Sequence, residues 1–147
     1  MRNRSLVALL IAISGCRAGV SSSPRPDTAT DHWRKLVGCY RMENRLFSLD
    51  SAQGRRLGSA PEPGIRRARF AQDPDDANAY WFVTSGGTLW VVNNGGWGVS
   101  YELVQRGDSL VGRSHLQSHV VGSRFSPTPV SAARATGCPG EPMPEGM

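Results

Sequence analysis

Lysine is nearly absent from this chain: Lys35 stands alone among 17 basic residues, and the rest are arginine. No segment holds a sustained 3.6-residue apolar period, which argues against a helical bundle. No apolar run approaches the ~20 residues that a membrane-spanning helix needs. The usual signatures of chemistry are missing too. There is no C-x-x-C, no H-E-x-x-H and no G-x-S-x-G elbow. Gly86-Gly87 and Gly95-Gly96 are followed by neither a lysine nor a helix, so they are not phosphate loops. His115 and His119 lie four apart, which on a strand is roughly 13 Å, too far to share a metal. Asp73, Asp75, Asp76 and Asn78 lack the following glycine and the terminal glutamate of a calcium loop, and read as turn caps. No catalytic group, metal site or cofactor is expected.

What is present starts with a leader. Arg2 and Arg4 precede an almost wholly apolar stretch, Leu6 to Ile13. A charged start and a short apolar run, too short to span, read as a secretory signal over residues 1–15. Ile13-Ser14-Gly15-Cys16 resembles the bacterial lipobox: a branched apolar residue, two small residues, then cysteine. The resemblance implies cleavage before Cys16, transfer of a diacylglycerol to its thiol, and acylation of the new amine. More than one chain is needed for firm anchoring, because each buried methylene contributes only about 0.8 kcal/mol. The expected partner is therefore membrane lipid. Arg17, rather than an aspartate, follows the cysteine. In lipoproteins of this type that favours the outer membrane, on its periplasmic face or at the cell surface. Residues 17–31, with Ser21-Ser22-Ser23-Pro24-Arg25-Pro26, have no apolar period and read as a flexible tether.

The formal net charge of +5 falls to +3 when the leader takes Arg2 and Arg4 with it. The remaining arginines are scattered, with Arg66-Arg67-Arg69 the densest group. Nucleic-acid binding calls for a basic stripe with interleaved aromatics, and an exported chain rarely meets nucleic acid. The group reads instead as a solvated strand edge or a contact with anionic surfaces.

One small domain is expected over residues 32–138, with a loose tail over 139–147. So small a domain buries limited surface, and a covalent staple would help it. With Cys16 lipidated, Cys39 and Cys138 remain, and export permits a disulfide between them. The competing reading is two free thiols.

Within the domain, Trp33 begins a helical turn capped by Asp31. A first, bulged strand is expected over 38–49, then a Gly/Pro loop over 51–64. Further strands follow at 65–71, 80–84 and 88–92. Asn93-Asn94-Gly95 is the strongest turn signal. Strands at 97–105 and 109–120 form a hairpin around Arg106-Gly107-Asp108. Gly112 leaves a bend, or room for Trp97 or Tyr101. Pro127 and Pro129 mark a loop, and a last strand covers 130–136. Short strands parted by turns define an all-β fold, a small antiparallel barrel or a β-sandwich.

Gly38-Cys39-Tyr40-Arg41-Met42, the mid-chain Trp81, Gly107-Asp108-Ser109-Leu110-Val111-Gly112 and a final strand ending in cysteine resemble small secreted lipocalin-like domains. Their first strand opens with G-x-Y or G-x-W. The resemblance covers about 100 residues and implies an up-and-down β-barrel that takes a small apolar ligand. This chain is shorter than typical lipocalins and lacks a clear C-terminal helix.

Two functions follow as expectations, with an enzyme a distant third. The first is a monomeric, noncatalytic binding module for a small apolar molecule or an envelope surface. Its pocket would draw on Phe70, Trp81, Trp90, Trp97 and Tyr101. The second is an envelope interaction lipoprotein with a solid core that meets another protein. Core packing is the competing use of the same aromatic residues. Phe82 shares a strand face with Tyr80 and opposes Trp81, so one of those faces must meet solvent or a second packing layer.

Overall fold

A computed structural model describes residues 23–94, 98–116 and 126–139. Eight antiparallel strands run in sequence order and close on themselves. They are β1 (Gly38–Met42), β2 (Arg45–Gln53), β3 (Arg66–Phe70), β4 (Tyr80–Val83), β5 (Leu89–Asn93), β6 (Val99–Arg106), β7 (Ser109–Leu116) and β8 (Thr128–Arg134). This is an up-and-down barrel of lipocalin-like topology, and the sandwich alternative falls away. Among the described residues, no helix is long and apolar enough to cross a membrane.

Alternation along each strand sorts the faces. Tyr40, Phe47, Leu49, Ala68, Phe70, Trp81, Val91, Tyr101, Leu103, Leu110 and Ala132 are buried inward in one core. The expected hairpin forms: β6 and β7 pair from Val99↔Leu116 to Arg106↔Ser109. The expected first strand does not hold as one piece. The chain reverses at Glu43 and Asn44, with Glu43 at φ 49°. Tyr40 then lies directly across from Phe47. What read as a bulge is a tight hairpin, because two rings that match across strands outweigh the poor fit of a glutamate to positive φ.

Pro129 also departs from expectation, standing within β8 opposite Arg113. It is tolerated there because β8 meets β1 only at Tyr40↔Arg134 and Arg41↔Ala133. At Pro129, β8 is an edge, and no ladder bond toward β1 is lost. Gly112 has a different use from the one expected. A Cβ at that position would fall on the Glu102 carbonyl oxygen, so the missing side chain admits backbone rather than an aromatic ring.

A short 3-10 helix, His32–Leu36, closes one end. It follows the expected turn, but the Asp31 side chain does not cap it; the Asp31 carbonyl accepts from the Arg34 N–H at 3.0 Å. Tyr40 Oη donates to the Leu36 carbonyl at 2.8 Å, and Trp33 meets Trp81 edge-on at 6.4 Å. Two of the arginine trio expected to be solvated are put to local use. Arg66 lies over the Trp33 ring at 3.5 Å, and Arg69 Nε donates to Asp50 at 2.7 Å.

Arg134 ties the last strand to this plug. Its guanidinium donates to the carbonyls of Val37, at 2.7 Å, and Lys35, and covers the Tyr40 ring at 4.7 Å. Gly38, at φ 142°, leaves the room, since a Cβ there would collide with the Arg134 guanidinium. Arg134→Lys keeps the charge but loses the fork. Its expected cost is about 1–2 kcal/mol, read as a lower urea midpoint; an unchanged midpoint would mean that the fork contributes nothing.

Candidate functional site

Stacked rings fill the barrel interior. Rings stack from strand to strand: Tyr40 on Phe47 at 5.6 Å, Phe47 on Phe70 at 5.6 Å, and Phe70 on Tyr101 at 6.4 Å. Trp81 is fully buried, and its indole donates to the Asp50 carbonyl at 2.9 Å. That carbonyl sits where β2 carries extra residues against β3, between Leu49 and Gln53. A bulge leaves an acceptor without a ladder partner, and the indole takes it.

Of the residues expected to line a pocket, Phe70, Trp81 and Tyr101 come together as this inward packing. Trp90 points the other way, onto the outer wall, where it stacks on His115 at 5.7 Å. Trp97 lies outside the described residues. The pocket set therefore does not converge on one hollow. Cys39 and Cys138 are joined as a disulfide with Cα atoms 5.2 Å apart. Cys16 also lies outside the described residues.

The end away from the plug, where residues 95–97 and 117–125 lie outside the described residues, offers something the sequence reading missed. A cavity of about 280 Å³ lies between the β1–β2 hairpin, β6, β7 and β8. Met42, Val99, Leu116 and Val130 supply apolar walls; Glu43, Arg45, Ser114, Thr128 and Tyr101 supply polar groups. Arg45 Nη1 donates to Tyr101 Oη at 2.6 Å, which holds a cation at the rim. Leu116 is 38% exposed there. Met42 and Arg45 flank the reversal at Glu43 and Asn44, and reading that reversal as a bulge hid both. The Glu43-Asn44 break in the apolar pattern was the signal available.

The outer wall carries the second packing layer that Tyr80 and Phe82 required. Tyr80 stacks on Phe82 at 6.3 Å, and a trough of about 360 Å³ runs between that pair and the Trp90–His115 pair. Its floor is Val92 and Ser100, and Ser23, Pro24 and Arg56 lie at its edge. Part of the segment read as tether is thus laid against the barrel. His115 Nε2 and Glu102 Oε2 are 3.0 Å apart. The imidazole is held by Glu102 and Trp90 rather than by Ser100, and both partners of the pair are partly exposed, so this is not a built acid–base site. Among the described residues, no group of three His, Cys, Asp or Glu side chains could hold a metal.

Burial raises two phenols above the ordinary tyrosine range. Tyr40 is raised by desolvation, which outweighs the pull of Arg134, and Tyr80 by desolvation against Arg56. A folded-state value above the unfolded one means that the unfolded chain ionises first. Stability from both groups is fully present below the ordinary tyrosine pKa of about 10 and declines as pH rises through and beyond it. Urea midpoints measured across that range should fall as pH rises, and less steeply in Tyr80→Phe. An equal fall in that variant would remove Tyr80 from the account.

No family model, curated protein or solved structure matches the chain. The class rests on the barrel itself: eight strands in sequence order, closed on themselves, with the 3-10 helix packed at one end.

Proposed function

We propose that this chain is an exported, lipid-anchored, noncatalytic binding domain that takes a small apolar ligand at the end away from its plug. One observation carries the reading: the mouth cavity has four apolar side chains beside Glu43, Ser114, Thr128 and a cation, Arg45, which Tyr101 holds in place. The apolar walls would bury a small apolar molecule, and the polar groups would fix its orientation. The ligand expected from the lipocalin-like resemblance sits at the mouth rather than deep inside, because stacked rings occupy the interior. The Ile13-Ser14-Gly15-Cys16 sequence supports export and acylation. A second reading, an envelope interaction lipoprotein without a ligand, is favoured by that same filled interior.

Titration of the full chain with an environment-sensitive apolar fluorophore tests the choice. Saturable binding at one site is expected. Val130→Trp, which fills the mouth from β8, should weaken it about tenfold or more, equivalent to ~1.4 kcal/mol. Binding untouched by Val130→Trp would place the site elsewhere. No saturable binding would favour the interaction reading.

A further inference from the structure

The outer wall carries rings that the core does not use. Register sets two rows of outward side chains across β4 to β7. Tyr80, Val92, Ser100 and His115 make the first row, and Phe82, Trp90, Glu102 and Arg113 make the second. The two small side chains in the middle of the first row, Val92 and Ser100, leave a dip between rings. The trough of about 360 Å³ follows from that order. The Tyr80–Phe82 pair stands on one side of it and the Trp90–His115 pair on the other.

Three polar groups on the trough make no hydrogen bond among the described residues: the Ser100 hydroxyl, the Tyr80 hydroxyl and the Trp90 indole N–H. Ser100 is only 3% exposed. A buried hydroxyl is ordinarily paired, so one left open toward a cavity calls for a partner from outside the fold. The strap does not supply it, since Ser23 and Pro24 stay at the edge and bond none of the three.

Charge narrows the class of ligand. Arg56 lies 5.6 Å from the Phe82 ring centroid, and its Nε is 3.3 Å from Glu62 Oε2. His115 faces Glu102 at 3.0 Å. Both basic groups of the lining thus have a carboxylate already, which favours a neutral ligand over an anion. A purely apolar ligand would cover the two hydroxyls and the indole N–H without pairing them, at the cost of their hydration. What fits is a ring with apolar faces and a polar rim. A pyranose is built that way, with C–H groups on its faces and hydroxyls around its edge.

We propose that the outer trough is a second binding site, for the pyranose ring of a carbohydrate. Trp90 and Tyr80 present ring faces to the C–H groups of the sugar. The Ser100 and Tyr80 hydroxyls donate to or accept from its hydroxyls, and the indole N–H donates. A few placed polar groups on apolar walls orient a small ligand in this way. The site needs neither the mouth cavity nor the lipid anchor.

Isothermal titration calorimetry of the full chain, in a detergent without a sugar headgroup, tests it. The probes are glucose, galactose and N-acetylglucosamine, with the disaccharides cellobiose, lactose and chitobiose. Saturable heat is expected from at least one of them. Trp90→Ala should weaken that binding about tenfold or more. Ser100→Ala removes one hydroxyl and little bulk, and should weaken it about three- to tenfold. Its urea midpoint should stay level or rise, because the hydroxyl has no partner in the fold. No saturable heat from any probe overturns the proposal. Binding that both Trp90→Ala and Ser100→Ala leave intact overturns it as well. Loss of sugar binding in Val130→Trp would place the sugar at the mouth, and would overturn the trough while leaving the mouth site standing.

Discussion

Replacing Cys39 and Cys138 together with alanine is expected to lower the unfolding free energy by about 2–5 kcal/mol. The bridge spans 99 residues of sequence, so it restrains a large loop in the unfolded chain. Its position adds to the effect. It joins β1 to the segment just past β8, where the barrel closes with only two paired positions. One more backbone bond, Ala135 N–H to the Cys39 carbonyl at 2.9 Å, lies at the same seam. The β3–β4 ladder is as short, whereas β6 and β7 pair from Val99↔Leu116 to Arg106↔Ser109. Urea denaturation should show a lower midpoint and a steeper slope, because an uncrosslinked chain exposes more surface on unfolding. An unchanged midpoint would mean that the seam holds without its staple. Alanine is preferred to serine because Cys39 is buried and a hydroxyl there would need a partner.

The second large effect is expected at Trp81. Truncation to alanine should cost about 3–5 kcal/mol, the range for removing a fully buried large aromatic residue. The indole fills the interior beside the plug, meeting Trp33 edge-on, with the Arg66 guanidinium 5.6 Å from its ring. Trp81→Phe isolates the polar part. It keeps most of the bulk but leaves the Asp50 carbonyl without its donor, an expected cost of about 1–3 kcal/mol. Urea midpoints of the two variants measure both terms. If Trp81→Phe matched the parent, the indole bond would be incidental and packing would carry the whole effect.

The sequence reading reached furthest where local signals agreed. Tyr80 to Val83 and Leu89 to Val92 are short, aromatic or branched and bounded by glycine, and both are strands. The hairpin around Gly107-Asp108 followed from alternation on either side of a turn pair. What failed depended on contacts distant in sequence. The reversal at Glu43-Asn44 is fixed by Tyr40 meeting Phe47, and nothing at the turn announces it. Arg66 looked solvated until Trp33, brought by the plug, came beneath it. Arg134 drew no notice as one arginine among many, yet it clasps the first strand to the last. Aromatic content identified Phe70, Trp81, Trp90 and Tyr101 as large buried or half-buried rings. It did not tell inward from outward, because both walls of this barrel carry aromatic layers. The mouth cavity was illegible for the same reason: it is assembled from β1, β2, β6, β7 and β8.

Native mass spectrometry of the full chain, extracted gently from its own host's envelope, tests the binding account most directly. The account predicts an acylated protein carrying one small additional mass, lost on denaturation and missing from Val130→Trp. A folded, acylated protein of bare mass would contradict it and turn the search to envelope proteins that meet a solid barrel.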